Sequence, residues 1–332
     1  MAQAVLDNHF VLPEFVTYNG TRLPFAYPPL SFYILAGIAR FSQVSILILS
    51  RFFPLIFNLL CLILFSDLAR ALVAKKRVAI LAFLLFPFLP KSYEWLIMGG
   101  GITRSVGFFF CLVTLCLAVR FFKESRTQNA FWKDFMLGLF LGLAGMSHLE
   151  WGVTAAVSLT LIAFTSLPFD LAFKRLSVIA CVSFLAAAPW WIAVLMRHGV
   201  SPFIAASTTA EWQPLTQSRF LNSLWQLLEW RQLPWTLGIA AGSFLALRNR
   251  QWIFPVWLIL IFVTTPRHGP TAATMPLAVL FGFALEHLWT WTRIHWQRGL
   301  FFSVVFLGVF LSASGLKNRI PLFCLMISTS TT

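Results

Sequence analysis

Apolar runs of transmembrane length recur from about residue 47 to residue 315, broken by short polar stretches. Crossing a bilayer takes about 20 apolar residues in a helix. On that measure the pattern predicts spans near 47–68, 78–92, 105–122, 135–147, 151–167, 177–196, 235–247, 252–265, 273–290 and 299–315. The fold class expected is all-α: a polytopic integral membrane protein of about ten transmembrane helices, with interfacial helices on its outer face. Three regions result: 1–46 as an external segment with juxtamembrane helices, 47–315 as the helical core, and 316–332 as a tail. Short alternating segments of the kind that build a membrane β-barrel do not occur.

Two stretches are amphipathic or too short to cross. "PPLSFYILAGIARF" (28–41) is about a dozen residues long and reads as a helix lying on the outer leaflet. In "SRFLNSLWQLLEWRQ" (218–232), Phe220, Leu221, Leu224, Trp225 and Leu228 recur at helical spacing opposite polar positions. That pattern, within the external segment 197–234, predicts a second helix at the membrane surface.

Between Phe135 and Phe169 only His148 and Glu150 are ionisable. As one helix this run would measure about 52 Å, against a hydrocarbon core of about 30 Å. It must therefore fold as a hairpin, with Ser147-His148-Leu149-Glu150 at the turn. On a continuous helix residues two apart point about 200° away from each other. In an extended turn His148 and Glu150 project together, with Leu149 facing away. The pair is then either a solvated tip or the lining of an outward-facing cavity, since ionisable groups at membrane depth are usually functional.

Composition agrees with the pattern: 59% of the 332 residues are hydrophobic and 11% charged, with 36 Phe and 14 Trp. Soluble domains carry about a quarter charged residues. The net charge of +14 would suit nucleic acid, but the basic residues collect in short inter-span loops. These are Arg70, Lys75, Lys76 and Arg77; Arg120, Lys123, Arg126 and Lys133; Lys174 and Arg175; Arg248 and Arg250; Arg293 and Arg298. By the positive-inside rule those loops are cytoplasmic, and with ten spans the N-terminus is extracytoplasmic. A bacterial or archaeal chain of this kind would reside in the plasma membrane, and no nucleic-acid partner is expected. The five cysteines form no CxxC or Cys/His ligand spacing and read as small buried hydrophobes. The opening "MAQAVLDNHF" has neither a basic nor an apolar signal region, and no apolar span precedes residue 28.

Four polar groups fall on the expected outer side. The first, in "KSYEWLIMGGGITRSVGFFF" (91–110), offers Glu94, Gly99–Gly101 and Arg104. The glycines lack the Lys-Ser/Thr of a phosphate loop, but bare N–H groups at a helix start suit a lipid phosphate. Arg104 reads equally as an interfacial anchor or a phosphate clamp. The second is the His148/Glu150 turn. The third, "TTPRHGPTAATMPL" (264–277), places Arg267 and His268 between prolines; Arg267 either caps the interface or meets a phosphate. The fourth is N-terminal, with Asp7, His9 and Glu14, which near a chain start are more often solvated than catalytic. Glu286 and His287 read as interfacial at the cytoplasmic end of a span, and His295 as a solvated loop residue. Asn19-Gly20 is a turn signal.

In order, "AVLDNHFVLPEFVTYNGTRLPFAYPPLSFYIL", "MGGGITRSVGFFF", "GLAGMSHLEWG" and "PRHGPTAATMPLAVLFG" resemble the GT-C superfamily of integral membrane glycosyltransferases, near the protein mannosyltransferase and aminoarabinose transferase branch. The likeness covers most of residues 3–290. It implies transfer of a sugar, with inversion, from a polyprenyl-phosphate carrier to an acceptor on the extracytoplasmic face. An external carboxylate activates the acceptor, in part of the family beside a divalent cation. Membrane lipid and a polyprenyl-phosphate-linked sugar donor are the implied partners. Carried onto this sequence, the resemblance makes Glu94 the second external acidic position and Arg267 a donor-phosphate ligand. Ala26 and Tyr27 stand where some relatives place a phosphate-binding Lys. Glu150 and Asp7 join Glu94 as catalytic candidates, and Arg104, His148, Arg267, His268 and Tyr27 as substrate-binding ones, with no residue assigned to a metal. The family's catalytic acid follows a first transmembrane helix upstream of the segment matching Ala2–Phe10, and this sequence contains neither. The expectation is an incomplete chain or an inactive copy. The rival reading, a transporter or flippase of lipid-linked or small solutes, predicts an inverted repeat and polar groups at mid-bilayer; neither is seen in the sequence.

Overall fold

The structure, a computed structural model, describes residues 1–89, 92–97, 101–124, 130–207, 233–265 and 268–291; for Glu94, Trp95 and residues 233–235 it describes the backbone alone. The predicted spans 299–315, the amphipathic stretch 218–232 and the tail 316–332 lie outside these residues, as does Arg267.

The N-terminal segment folds into a small cap. Helix α1 (Ala2–Asp7) is followed by an antiparallel hairpin, β1 (Phe15–Tyr18) and β2 (Thr21–Pro24), with Tyr18 opposite Thr21. Asn19 and Gly20 between them both take positive φ, 49° and 77°, the backbone that a two-residue hairpin turn demands. This hairpin is the one departure from an all-α class among the described residues. Val5, Val16, Phe25 and Ala36 bury together and fasten the cap to α2 (Leu30–Ser42), the helix expected at the outer interface.

Helix α3 (Ile46–Leu72) begins where the Ser45 hydroxyl accepts the Ile48 N–H, a side-chain N-cap. After it come α4 (Lys76–Leu85), a 3₁₀ turn at Phe86–Phe88, α5 (Glu94–Ile97) and α6 (Ile102–Lys123). The span expected at 78–92 is thus a shorter helix. Pro87 supplies no N–H to continue the ladder, and the chain leaves α geometry after Leu85. Phe86 instead stacks on Phe65 of α3, with ring centroids 4.1 Å apart.

The hairpin predicted between Phe135 and Phe169 is present as α7 (Ala130–Ser147) and α8 (Leu149–Ser166), joined by His148 alone. Its N–H donates to Ala144 O, closing α7, while its carbonyl accepts from Trp151 and Gly152, opening α8. With φ −161° and ψ 119°, His148 is the single extended residue. The two helices leave the turn in close contact: a Cβ on Gly152 would lie 2.7 Å from Gly145 Cα. Helix α9 (Phe169–His198) packs along α7, where Gly138 and Gly142 leave no room for a Cβ against Val182 and Ala186. Such small-residue contacts let membrane helices approach backbone to backbone.

The chain continues through α10 (Ser201–Ser207), α11 (Leu233–Arg248), α12 (Ile253–Thr264), α13 (Gly269–Ala272) and α14 (Thr274–Trp291). Among the described residues four helices are long and apolar enough to cross a membrane: α3, α6, α8 and α9. Helix α12, at about 1.5 Å per residue, spans roughly 18 Å and is too short to cross by itself.

The bundle has two chemically distinct ends. At one, Arg120 pairs with Asp67, Lys133 with Glu124 (2.8 Å), Arg175 with Asp134 (2.6 Å) and Lys75 with Glu286 (3.7 Å). These pairs tie the ends of α3, α4, α6, α7, α9 and α14 together, and they engage Lys75, Arg120, Lys133 and Arg175 of the basic loops. The cap, the α7/α8 turn and the C-terminus of α9 lie at the other end. There Arg197 donates to Leu12 O at 2.7 Å, and His198 meets Glu14 O at 3.1 Å.

Candidate functional site: a carboxylate between two histidines

The site lies at the cap end, where α8 begins. Because His148 is extended and Glu150 is in the first turn of α8, both side chains turn inward, and Leu149 is 42% exposed. His148 and Glu150 are 5% and 7% exposed, so the pair lines the protein interior and is not a solvated tip. His148 Nδ1 lies 3.8 Å from Glu150 Oε2.

The α12–α13 junction brings in the third member. His268, 5% exposed, caps α13 with its backbone and sets its Nδ1 3.7 Å from the same Glu150 oxygen. The two imidazole rings are 6.0 Å apart. One carboxylate oxygen thus faces two ring nitrogens at ion-pair rather than hydrogen-bond distance.

Aromatic rings fix this arrangement. Trp151 is fully buried, stacks on Phe108 at 4.3 Å and meets His268 edge-on at 4.2 Å. Its indole N–H has no hydrogen-bond acceptor among the described residues. Tyr27 approaches His148 edge-on at 6.2 Å, and its hydroxyl shares a hydrogen bond with Thr103 at 3.3 Å. Gly107 on α6 makes room for the whole group. A Cβ there would lie 2.9 Å from Trp151 Cδ1 and 3.0 Å from His148 Cβ.

Of the residues singled out in the sequence, the structure therefore gathers His148, Glu150, His268 and Tyr27. Arg104 is half-buried in the first turn of α6, next to Thr103 and one turn before Gly107. Glu94 opens α5, but its side chain lies outside the described residues, as Arg267 does altogether. Asp7 is placed elsewhere. It accepts a hydrogen bond from Gln3 at 2.8 Å and lines a cavity of about 600 Å³ beside His9 and Arg40.

Sequence reasoning did not find Trp151, Thr103 or Gly107. Trp151 and Gly107 each sit in an apolar run where a single sequence offers many equivalent core positions. Their importance comes from a contact between α6 and α8 that no local pattern encodes.

As for a divalent cation, bond lengths of about 2.0–2.2 Å to one tetrahedral ion place its ligand atoms about 3.4 Å apart. The two separations at Glu150 are wider. Among the described residues no three His, Cys, Asp or Glu side chains are placed to hold a metal ion.

No family model matches the sequence, and no curated protein does. Among solved structures the chain is similar to the archaeal oligosaccharyltransferase AglB from Archaeoglobus fulgidus in complex with an inhibitory peptide and a dolichol-phosphate. The identity is 16% and the TM-score 0.59, over 94% of this chain and 50% of that one. It is also similar to the Archaeoglobus fulgidus oligosaccharyltransferase in complex with Zn and sulfate, at 15% identity and a TM-score of 0.60, over 95% of this chain and 48% of that one. At these identities the likeness establishes the fold. The chain spans about half the length of these proteins and shares the fold of the part it matches.

Proposed function

We propose that the chain carries the donor and base site of a membrane glycosyltransferase that uses a polyprenyl-phosphate-linked sugar. The observation that carries this reading is the buried Glu150, held between His148 and His268 at the bundle end away from the basic loops. An oligosaccharyltransferase-like fold around it supports the same class of chemistry.

In the proposed reaction an acceptor N–H or O–H attacks the anomeric carbon. The C–O bond to the carrier phosphate breaks with inversion, and the acceptor proton passes to Glu150. A positioned base of this kind contributes about 10²–10⁴-fold to a rate. The carrier phosphate departs as an anion, and Arg104 supplies a guanidinium group to meet it; Arg267, the residue before His268 in the sequence, is the second candidate. His148 and His268 orient the carboxylate and keep bulk water from it, and Tyr27 closes the site on the α2 side. No step is routed through a cation. Glu94 is a second acidic candidate at the start of α5, and Asp7 a third at the cap. The ten-span topology, with the cap end extracytoplasmic, belongs to this proposal.

The test uses the purified chain with a radiolabelled polyprenyl-phosphate sugar, in detergent and in sealed liposomes. Release of the sugar from its phosphate, or its transfer to acceptor, supports the enzyme. Uptake into liposomes with the carrier bond intact would establish a transporter instead.

A further inference from the structure

The basic end of the bundle holds a cavity of about 240 Å³ between the ends of α4, α11 and α14. Lys75, at the start of α4, and Arg248, in the last turn of α11, contribute its cationic heads. Asn249 and His287 add polar groups at the rim, and Leu245 and Phe283 form an apolar floor. Phe283 is 3% exposed, so the floor is continuous with the packed interior of the bundle.

We infer that this cavity binds the phosphate-bearing headgroup of an anionic phospholipid from the leaflet at the basic end. Three features support this. The cavity joins two basic side chains from different helices to an apolar wall, which matches a headgroup with acyl chains attached; basic pockets between membrane helices take such lipids. Arg248 has no acidic partner among the described residues, whereas Lys75, Arg120, Lys133 and Arg175 are each paired. The surrounding loops carry further positive charge in Lys76, Arg77 and Arg250, which raises the local concentration of anionic lipid. One group opposes binding. The Glu286 carboxylate lines the same cavity, 15% exposed, and lies 3.7 Å from Lys75. Entry of a phosphate therefore shifts Lys75 from Glu286 toward the lipid, and Arg248 makes the first contact.

The inference rests on the geometry of the basic end and not on the proposed reaction, so its test reads lipid retention and no catalytic turnover. The delipidated full chain in mild detergent is titrated with phosphatidylglycerol, phosphatidylcholine or inorganic phosphate and followed by native mass spectrometry and thermal melting. Phosphatidylglycerol is expected to be retained and to raise the melting temperature, while phosphatidylcholine does neither. Lys75→Ala with Arg248→Ala should lower phosphatidylglycerol affinity roughly thirtyfold, from about fivefold for each basic residue lost. Glu286→Gln, which removes the opposing charge, should raise it about fivefold. If the double variant fails to fold, Arg248→Ala alone still decides the matter, since Arg248 is exposed and has no acidic partner among the described residues, and Glu286→Gln adds the opposite sign in a side chain of the same shape. Equal retention of the two lipids, equal retention by wild type and variants, or full protection by inorganic phosphate alone would overturn the inference.

Discussion

At the residue scale the account depends on Glu150. Glu150→Gln keeps the shape of the side chain and removes its capacity to take a proton. Sugar transfer should fall by about 10²–10⁴-fold with the melting temperature little changed, measured on the radiolabelled donor. Gly107→Ala addresses the space around that carboxylate. The new methyl meets Trp151 and His148 at about 3 Å, so it should cost roughly 1–3 kcal/mol in thermal unfolding and disturb the site as well. A variant that melts like wild type would show that α6 and α8 do not meet there. His148 and Glu150 were legible in the sequence because they interrupt a long apolar run, and because spacing by two demands an extended residue if both face one pocket. His268 was legible as a polar residue in a short loop. Its pairing with Glu150 was not, because the contact joins α8 to the α12–α13 junction and leaves no periodic trace.

At the element scale the α7–α9 pair shows how a membrane bundle is fastened without a hydrophobic driving force between helices. Small residues bring the axes close, and a buried ion pair closes the end. Asp134 and Arg175 are each about 5% exposed, with Arg175 over the Phe122 ring at 4.7 Å. Asp134→Ala would strand that guanidinium and should destabilise the bundle by about 3–5 kcal/mol in thermal melting, with Asp134→Leu/Arg175→Met recovering much of it. Equal melting of Asp134→Ala and wild type would exclude the clamp. Arg175 was legible only as one more charge in a basic loop. Its burial follows from the close approach of α9 to the glycine-lined face of α7, which composition does not reveal. The same limit applies at residues 78–92, where hydropathy continues but the helix stops before Pro87, so an apolar run was longer than the element it makes.

At the scale of the whole molecule, the central claim is that the chain is polarised, with its basic loops at one end and the Glu150 site at the other. Loop charge alone implied this arrangement, and the ion pairs at one end and the cap contacts at the other agree with it; which end faces the cytosol is the step that the positive-inside rule supplies. Impermeant thiol labelling of sealed cells tests it. In a background with Cys181, which is exposed, and Cys324 changed to Ser, a cysteine is placed at Leu149, exposed beside the site, or at Lys76 in a basic loop. The account predicts labelling of Leu149→Cys in intact cells and of Lys76→Cys only after the membrane is opened. The reverse pattern would put the site in the cytosol and contradict it.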